Sequence, residues 1–261
     1  MILVTGAAGY IGSHICKRLQ KKGINYIAVD NLSSGNLKNI QNKKTFYKND
    51  FSSNKIFSII KNNEVQTVIH SGAFTFPSES ETKKNKYFNN NIIKTKKFID
   101  LCKKANVKKF IFFSSSNVYK FKIKKTPVLN PENYYGYTKL YIEKYLKKKS
   151  FKNLIILRLF NIAGFVKNSN YYEYKTKYRR IMPTIFSSVI KNSKIYIYGK
   201  KTKNGFSYSK RDYLHIDDLV KLIAILLKEN IKYKVFDIGS CKATSLKKII
   251  NIFEKITKKK I

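Results

Sequence analysis

Ile2-Leu3-Val4-Thr5-Gly6-Ala7-Ala8-Gly9-Tyr10-Ile11-Gly12 is the stretch that decides the fold of this chain. Its apolar start predicts a short buried strand. Three glycines follow at intervals of three residues, and Ile11, Ile15 and Leu19 then recur on one face of a predicted helix. Strand, glycine turn and helix in this order are the context that a dinucleotide-binding fingerprint requires. The spacing is Gly-x-x-Gly-x-x-Gly, which differs from the commoner Gly-x-Gly-x-x-Gly.

The glycine turn predicts a pyrophosphate site at the start of the helix. Gly6 permits a tight turn, Gly9 lets the backbone approach the ligand, and Gly12 lets the helix pack close to the sheet. A second apolar run ends at Asp30, near the distance at which an acidic residue binds the adenosine ribose. Because a carboxylate there repels a 2′-phosphate, we expect NAD and not NADP. The alternative for Asp30 is a turn residue beside Asn31.

Two later turns are expected to border the cofactor. Ser71-Gly72 follows the apolar strand Thr67–His70, and ligands of doubly wound sheets sit at the carboxyl ends of strands. Asp50-Phe51 either contacts the adenine or begins a helix together with Ser52. We interpret His70 as a packed structural residue, because lone histidines that close a strand are usually packed.

Serines follow the most apolar strand of the chain. Residues 110–113 are apolar throughout, which predicts a central strand covered on both faces, and they lead directly into Ser114-Ser115-Ser116. A hydroxyl at this point is well placed to bond a substrate oxygen. Serines also end strands for turn reasons alone, so both explanations stay open.

Tyr135 and Lys139 form a candidate acid/base pair. They are four residues apart in a segment predicted to be helical to about Lys148, so both side chains lie on one face. An ammonium near a phenol favours the phenolate, and the pair therefore predicts a Tyr135 pKa lowered from about 10 toward neutrality. Such a phenol can take a proton from a sugar or alcohol hydroxyl. The pair alone is a weak signal, because the chain contains 19 Tyr and many Lys.

The order of these elements predicts an α/β fold, with a Rossmann-type doubly wound parallel sheet. Beyond Gly164 the alternation breaks, and we expect a strand at residues 194–198, a long loop at 199–210 and a small mixed α/β region. The predicted domains are an NAD-binding domain over residues 1–164, to which the segment near 211–240 returns, and a nucleotide-sugar-binding region over 165–261.

Composition limits the remaining function classes. The chain has 54 Lys+Arg against 15 Asp+Glu, a formal net charge of +39, which is typical either of a binder of nucleic acid or membrane surfaces or of A+T-rich coding sequence. Because the basic residues are spread along the chain, we favour the second explanation and expect no specific nucleic-acid partner. The chain lacks a secretory signal and an 18-residue apolar run, so we expect no membrane association. Three scattered cysteines suggest a cytoplasmic protein without a metal site.

Taken together, the motifs resemble those of the extended short-chain dehydrogenases/reductases, the NAD-dependent epimerase/dehydratase family. The chain is most similar to its branch of UDP-hexose 4-epimerases, over residues 1 to about 256. The motifs that carry the resemblance are Thr5-Gly6-Ala7-Ala8-Gly9-Tyr10-Ile11-Gly12-Ser13-His14, Asp30-Asn31-Leu32, Ser114-Ser115-Ser116-Asn117-Val118-Tyr119, Tyr135-x-x-x-Lys139, Phe160-Asn161-Ile162-Ala163-Gly164 and Arg211-Asp212-Tyr213-x-His215.

The resemblance implies a role for each of these residues. Tyr135 would be the acid/base, Lys139 its tuner and a ligand of the nicotinamide ribose, and Ser115 the partner of the sugar 4-oxygen. Asn161 and Arg211 would bind the UDP-sugar. The implied cofactor-binding residues are Gly6, Gly9, Tyr10, Ile11, Gly12, Asp30, Asn31, Asp50, Phe51, Ser71, Gly72, Tyr135 and Lys139.

The implied reaction is transient oxidation at C4 of a UDP-hexose, followed by return of the hydride to the other face of the sugar. It requires NAD and no metal. The resemblance also implies a homodimer that pairs helices across a two-fold axis. A 4,6-dehydratase is disfavoured, because Ser116-Asn117 replaces the Asp-Glu pair usual in that branch. A basic nucleic-acid-binding relic of the fold is the other alternative.

The sequence departs from the family pattern at several positions. Lys120 stands where relatives place Gly, Arg180 where they carry Asn, and Thr75 where they often carry Lys. Family members usually continue beyond the position of Ile261 into a segment that supplies an arginine and a tyrosine around the nucleotide. A reduced but active enzyme, a decayed one and one with a shifted substrate therefore stay open as alternatives.

Overall fold

The computed structural model of the chain describes residues 1–120, 126–165, 180–196, 199–202 and 205–259, with the backbone alone at 199–202 and 205–206. The described strands are β1 (Ile2–Thr5), β2 (Tyr26–Asp30), β3 (Phe46–Lys48), β4 (Thr67–His70), β5 (Lys109–Ser115), β6 (Asn153–Leu159), β7 (Asn161–Ala163), β8 (Gly199–Thr202), β9 (Gly205–Tyr208), β10 (Lys210–His215), β11 (Tyr233–Ile238) and β12 (Ala243–Ser245). The described α-helices are α1 (Tyr10–Lys21), α2 (Lys55–Asn62), α3 (Pro77–Thr82), α4 (Lys84–Tyr87), α5 (Thr95–Lys104), α6 (Tyr134–Lys148), α7 (Ile181–Lys191), α8 (Ile216–Leu226) and α9 (Leu246–Thr257).

The main sheet of the described chain has seven strands in the order β11-β6-β5-β4-β1-β2-β3. Every neighbouring pair in it is parallel. The chain runs outward from β1 through β2 to β3, and then returns to place β4 on the other side of β1. The order therefore reverses between β1 and β4, and the crevice at the carboxyl ends of these strands is where doubly wound folds bind ligands.

Helices cover both faces of this sheet. Along β1 and β5 successive side chains point to opposite faces, so that Leu3, Phe110 and Phe112 enter one apolar cluster while Val4, Ile111 and Phe113 enter the other. The first cluster takes its helical side chains from α2, α5 and α6, and the second from α1 and α8. A parallel sheet buried on both sides explains the uninterrupted apolar strands, and the predicted α/β class is confirmed.

The apolar spacing of residues 85–106 predicts one long helix after β4 with Ile92 and Ile93 on its apolar face, but this helix is not uniform. A π-helical segment, Phe88–Lys94, separates α4 from α5. The sequence pattern assigned both Ile92 and Ile93 to the apolar face, but Ile92 is buried whereas Ile93 is 47% exposed. The wider π turn changes which residues face the sheet, and a uniform helical periodicity does not capture that change.

The part beyond Gly164 differs from the expectation. β8 and β9 form an antiparallel hairpin where a long loop was expected at 199–210. The overlooked signal is the Asn204-Gly205 dipeptide, which is typical of hairpin turns. The strand expected at 194–198 is wrong for residues 194–196, which have no regular structure, while 197 and 198 lie outside the described residues. A second sheet has the order β12-β10-β7.

No helix within the described ranges is long and apolar enough to cross a membrane.

The buried and exposed side chains of α8 allow a test of which face of this helix packs against the sheet. Ile223 is 1% exposed and packs in the cluster beneath α1 and α8, whereas Ile225 on the same helix is 57% exposed. We expect Ile223→Ala to lower the free energy of unfolding by about 2–5 kcal/mol through the cavity that it leaves. The matched variant Ile225→Ala should change it by less than about 0.5 kcal/mol. Urea unfolding followed by circular dichroism measures both, and equal losses would contradict the assignment of faces.

His70 lies at the end of β4 inside a group of aromatic rings. Its Nδ1 is 2.7 Å from Oγ1 of Thr5, and its ring centroid is 5.0 Å from that of Phe51 and 6.0 Å from that of Phe112. Burial, with a smaller contribution from the charge of Lys139, lowers the His70 pKa to about 3. The residue is packed in the core, in agreement with the interpretation from the sequence.

The depressed pKa of His70 makes stability depend on pH. The unfolded chain protonates this imidazole near pH 6.5, whereas the folded chain keeps it neutral to about 3. Stability should therefore fall as the pH drops through this window, by at most about 1.4 kcal/mol per unit. We expect His70→Gln to flatten this decline in urea titrations between these pH values. A wild-type slope in His70→Gln would show that His70 does not carry the effect.

Candidate active site

The glycine turn after β1 leads into α1 with very close backbone packing. A Cβ on Gly12 would overlap the carbonyl oxygen of Gly6, so no larger residue fits there. Helix α1 begins after Gly9 without a side-chain cap, which leaves its first N–H groups directed at the turn. The hydroxyl of Tyr10 donates to the Gly164 carbonyl at 2.6 Å, and this bond ties the start of α1 to the end of β7.

Asp30, the last residue of β2, lies beside this turn. Its Oδ2 accepts a hydrogen bond from the Ala8 N–H at 3.0 Å, and its Oδ1 accepts one from the Leu32 N–H at 2.7 Å. Burial raises the pKa of this carboxyl, although the two N–H groups oppose the shift. The turn and the candidate ribose-binding acid are therefore in direct contact.

Asp50 and Phe51, which follow β3, lie in different surroundings: Asp50 is partly exposed, whereas Phe51 is buried. Asn31 donates to Asp50, and Asp50 also pairs with Lys94 at 2.5 Å. An Asp50 oxygen accepts from the N–H and the hydroxyl of Ser52, which closes a local turn. The alternative that Asp50 caps a helix is wrong, because α2 starts after Asn54 and has no side-chain cap. The ring of Phe51 is buried against His70, so its side chain belongs to the core and only its backbone remains for an adenine contact.

The turn after β4 joins the same edge of the sheet. The Ser71 hydroxyl donates to the Thr5 carbonyl at 2.7 Å, which links the turns that follow β1 and β4. These features fit a dinucleotide, because a glycine turn at an uncapped helix start suits a diphosphate and a carboxylate at the end of the next strand suits a ribose diol.

The first turn of α6 is docked on the serine turn after β5. Asn133 caps the helix by accepting from the Gly136 N–H at 2.8 Å, and its Nδ2 donates to the Asn117 side chain at 2.9 Å. A Cβ on Gly136 would overlap the Asn117 carbonyl oxygen, so glycine alone allows this approach. The Tyr135 N–H donates to the Ser80 hydroxyl on α3, which fixes the other side of the helix.

This docking brings the predicted catalytic residues together. The phenol of Tyr135 and the hydroxyl of Ser115 lie near each other, and the serine opposes the rise of the Tyr135 pKa. The Ser115 oxygen also accepts from the N–H and the Nδ2 of Asn117, at 3.2 and 3.1 Å. Because two donors occupy the serine oxygen, its own proton is available to the phenol.

Lys139 lies on the same face of α6, one turn along. Its Nζ is 5.9 Å from the centroid of the Tyr135 ring and 4.8 Å from that of Phe112, and it donates to the Phe113 carbonyl at 2.8 Å. Burial lowers the Lys139 pKa to about 7, while the nearby Glu143 carboxylate opposes the shift.

The expected lowering of the Tyr135 pKa is wrong. Burial raises it, because an ionised phenol loses its hydration in the core. The groups that oppose this shift are the Ser115 hydroxyl and the Arg180 guanidinium, and Lys139 is not one of them. The spacing of four residues predicted the shared face correctly, but it could not show that the lysine is half-neutralised and bonded to a strand carbonyl.

Sequence reasoning missed a buried polar network behind the site. Arg158 of β6 binds Glu143 of α6 through Nε and Nη2, and Glu143 also accepts from the Ser114 hydroxyl at 2.5 Å. Nη1 of Arg158 donates to the Tyr119 hydroxyl, which in turn donates to Asp237 on β11. The available signal was the position of Glu143, four residues after Lys139 and therefore on the same face of α6.

Asn161 and Arg211, the expected substrate ligands, lie in the smaller sheet. Asn161 on β7 is exposed and donates through Nδ2 to the Asp212 carbonyl of the neighbouring β10. Arg211 on β10 is exposed as well, paired in the ladder with Thr244 of β12. The structure therefore brings these two residues onto neighbouring strands, whereas Ser115, Tyr135 and Lys139 stand on the main sheet and α6.

Comparison with known proteins agrees with this geometry. The model of the NAD dependent epimerase/dehydratase family matches residues 2–239. UDP-glucose 4-epimerase of Lactobacillus helveticus is 32% identical over 270 residues, which cover 98% of this chain and 81% of that protein. dTDP-D-glucose 4,6-dehydratase of Dictyostelium discoideum is 31% identical over 283 residues, 96% of this chain and 62% of that protein.

Among solved structures, the UDP-glucose 4-epimerase of Bifidobacterium longum in complex with NAD+ and UDP is similar to this fold. The TM-score is 0.89 at 26% identity, and the match covers all of this chain and 84% of that one. The family match spans most of the sequence, and both the curated relative and the solved structure cover the candidate site. The chain therefore belongs to the NAD dependent epimerase/dehydratase family.

Proposed function

We propose that this chain is an NAD-dependent UDP-hexose 4-epimerase that interconverts UDP-galactose and UDP-glucose. The observation that carries the proposal is the proximity of Ser115 and Tyr135, at the edge of the sheet that also holds the glycine turn. We take UDP-hexoses as the substrate class because proteins named UDP-glucose 4-epimerase are similar to nearly the whole of this chain.

Tyr135 and Ser115 act on the oxygen at C4 of the sugar. Tyr135, as phenolate, takes the proton of the 4-hydroxyl while C4 is oxidised, and returns it when C4 is reduced. NAD, when bound, would supply the oxidising power at C4 by reversible hydride transfer. Ser115 orients the 4-oxygen and donates to the phenolate, whose charge it stabilises.

Lys139 contributes a buried positive charge next to this pair. Because its pKa is about 7, its protonated fraction changes near neutral pH, and its Nζ lies 5.9 Å from the centroid of the Tyr135 ring. Its second proposed role is to bind the nicotinamide ribose.

The other binding roles complete the proposal. Asp30 and Asn31 bind the adenosine ribose, Asp50 and the backbone of Phe51 lie at the adenine, and Ser71-Gly72 borders the cofactor. Gly6, Gly9, Tyr10, Ile11 and Gly12 bind the diphosphate of NAD. Asn161 and Arg211 bind the UDP portion of the substrate, for which arginine suits phosphate oxygens through its planar fork.

A 4,6-dehydratase is the second candidate function, because one relative of this chain carries that name. The Ser116-Asn117 dipeptide argues against it, since neither residue can act as the acid or the base that elimination of water needs. Product analysis separates the two candidates, because only a dehydratase yields a 4-keto-6-deoxy sugar.

The exposed side of α6 supports a homodimer. Tyr134 stacks on Tyr137 with ring centroids 5.5 Å apart, and Tyr137 and Tyr141 are both exposed. Ile93 is exposed as well, on the π segment that packs against α6. An aromatic stripe of this kind suits an isologous contact with a second copy.

The wider setting of the enzyme completes the proposal. We place it in the cytoplasm without a specific nucleic-acid partner. Residues 1–164 form the NAD-binding domain and 165–261 the substrate region. The segment 211–240 returns to the first domain, which is supported by the position of β11 in the main sheet.

Removal of the Tyr135 hydroxyl tests the acid/base assignment. We expect Tyr135→Phe to reduce turnover of UDP-galactose by about 10²–10⁴-fold, because proton transfer at the 4-oxygen loses its acceptor. The matched variant Tyr137→Phe removes a hydroxyl from an exposed ring two residues away and should retain full activity. Formation of UDP-glucose is followed by chromatography. A fully active Tyr135→Phe variant would refute the mechanism.

Substitution of Gly12 tests the cofactor site. A Cβ at this position would overlap the Gly6 carbonyl, so Gly12→Ala should displace the turn and abolish retention of NAD. A Cβ on Gly9 would be 3.2 Å from the same oxygen, which a small shift accommodates. Gly9→Ala should therefore keep the wild-type melting temperature, whereas Gly12→Ala lowers it. Mass spectrometry of molecules that co-purify with each variant measures NAD, and its retention by Gly12→Ala would contradict the assignment.

A further inference from the structure

The guanidinium of Arg158, on β6, binds two partners at once behind the candidate site. Its Nε and Nη2 donate to the Glu143 carboxylate of α6 at 3.0 and 2.6 Å, and its Nη1 donates to the Tyr119 hydroxyl at 2.6 Å. The guanidinium carbon also lies 5.0 Å from the centroid of the Tyr119 ring. The side chains of Arg158 and Glu143 are only 12% and 6% exposed. Because the guanidinium is planar and rigid, it fixes the position of α6 relative to Tyr119.

The contacts of this ion pair lie on both sides of Ser115. Ser114, the residue before it, donates through its hydroxyl to Glu143 at 2.5 Å. Tyr119 comes directly after the 3₁₀ turn Ser116–Val118, which begins next to Ser115. The strand before the serine and the turn after it are therefore attached to the same pair of buried charges, so that Ser115 is held from both sides.

The same ion pair holds α6, the helix that carries Tyr135. Glu143 stands one helical turn beyond Lys139, whose Nζ donates to the Phe113 carbonyl at 2.8 Å. Two side chains one turn apart on α6 are thus bonded to consecutive residues of β5. Since each residue of a helix rises about 1.5 Å, even a slip of α6 by one residue would disrupt both bonds. The position of Tyr135 along β5 depends on these contacts.

Tyr119 is the member of the network that a substitution can alter most selectively. Its hydroxyl accepts from Arg158 and donates to the Asp237 carboxylate of β11 at 2.9 Å. Its ring contacts the guanidinium separately. Loss of the oxygen alone would detach the serine turn from Arg158 and leave the pair of Arg158 and Glu143 in place.

We propose that Arg158, Glu143 and Tyr119 are positioning residues of the epimerase reaction, which hold Ser115 and Tyr135 at the separation that proton transfer at the sugar 4-oxygen requires. The inference rests on the proposed function, because that function gives Ser115 and Tyr135 their roles. The three residues act through the serine turn and through α6. Because misplaced reacting groups slow the chemical step, loss of the network should lower kcat more than it raises KM.

Removal of the Tyr119 hydroxyl tests this role in the NAD-loaded protein. We expect Tyr119→Phe to lower kcat for UDP-galactose by about tenfold, and to leave KM and the retention of NAD within about twofold of wild type. Tyr145→Phe is the matched control, since the Tyr145 hydroxyl of α6 donates to the Asp100 carboxylate of α5 at 2.7 Å. Its kcat should equal that of wild type. A wild-type kcat in Tyr119→Phe, or an equal loss in both variants, overturns the inference.

A double-mutant cycle tests whether Tyr119 acts through Arg158. Arg158→Lys keeps a positive charge opposite Glu143 but lacks the planar fork that holds two partners. Its kcat should fall at least as far as that of Tyr119→Phe, and the double variant should show no further loss. Losses that multiply in the double variant would mean that the two residues act independently, which overturns a shared role. If Arg158→Lys does not fold, the comparison of Tyr119→Phe with Tyr145→Phe decides.

A further measurement does not depend on turnover. The N–H groups of residues 117 and 119 are bonded within the serine turn, so their hydrogen exchange, followed by mass spectrometry, should become faster in Tyr119→Phe. It should match wild type in Tyr145→Phe. If wild type does not epimerise UDP-hexoses, the proposed function fails, while the exchange still decides whether the network holds the turn. If wild type turns over and Tyr119→Phe keeps wild-type exchange, only the inference about the network fails.

Discussion

The contact between the first turn of α6 and the turn after β5 is the constraint on which the candidate site depends. Gly136 meets the Asn117 carbonyl without an intervening side chain, and Asn133 bonds both the helix start and the Asn117 amide. Only because the helix comes this close is Ser115 near enough to Tyr135 to favour the ionised phenol. A side chain on Gly136 would overlap the Asn117 carbonyl and move Tyr135, the proposed base, away from Ser115.

Burial decides the electrostatics of the site. The same low-dielectric surroundings raise the Tyr135 pKa and lower that of Lys139, since each loses hydration of its charged form. The charged form of each side chain is therefore favoured only by a few close partners. These are Ser115 and Arg180 for the Tyr135 phenolate, and Glu143 for the Lys139 ammonium. Glu143 is in turn held by Arg158, so that α6, β5 and β6 are joined by one buried polar network. Against these local terms, the net charge of +39 acts mainly as a diffuse attraction for anionic ligands.

The parallel sheet concentrates the functional residues at one edge. The glycine turn, Asp30 and the Ser71 turn follow β1, β2 and β4, and Ser115 ends β5, so each stands at a carboxyl end. The smaller sheet of β7, β10 and β12 carries Asn161 and Arg211. The Tyr10–Gly164 hydrogen bond ties the start of α1 to the end of β7, and so links the dinucleotide turn to the smaller sheet.

The sequence by itself determined the α/β class, the dinucleotide turn, the position of Asp30 and the shared face of Tyr135 and Lys139. These follow from local periodicity and from spacings of a few residues, which the backbone imposes directly. Only the tertiary structure decided that Phe51 enters the core, that a π segment exposes Ile93, and that Arg180 contacts Thr75 and Phe76. It also decided the direction of the Tyr135 pKa shift. The physical reason is that burial and contacts between residues 100 positions apart depend on how the layers pack, and local sequence carries no record of that packing.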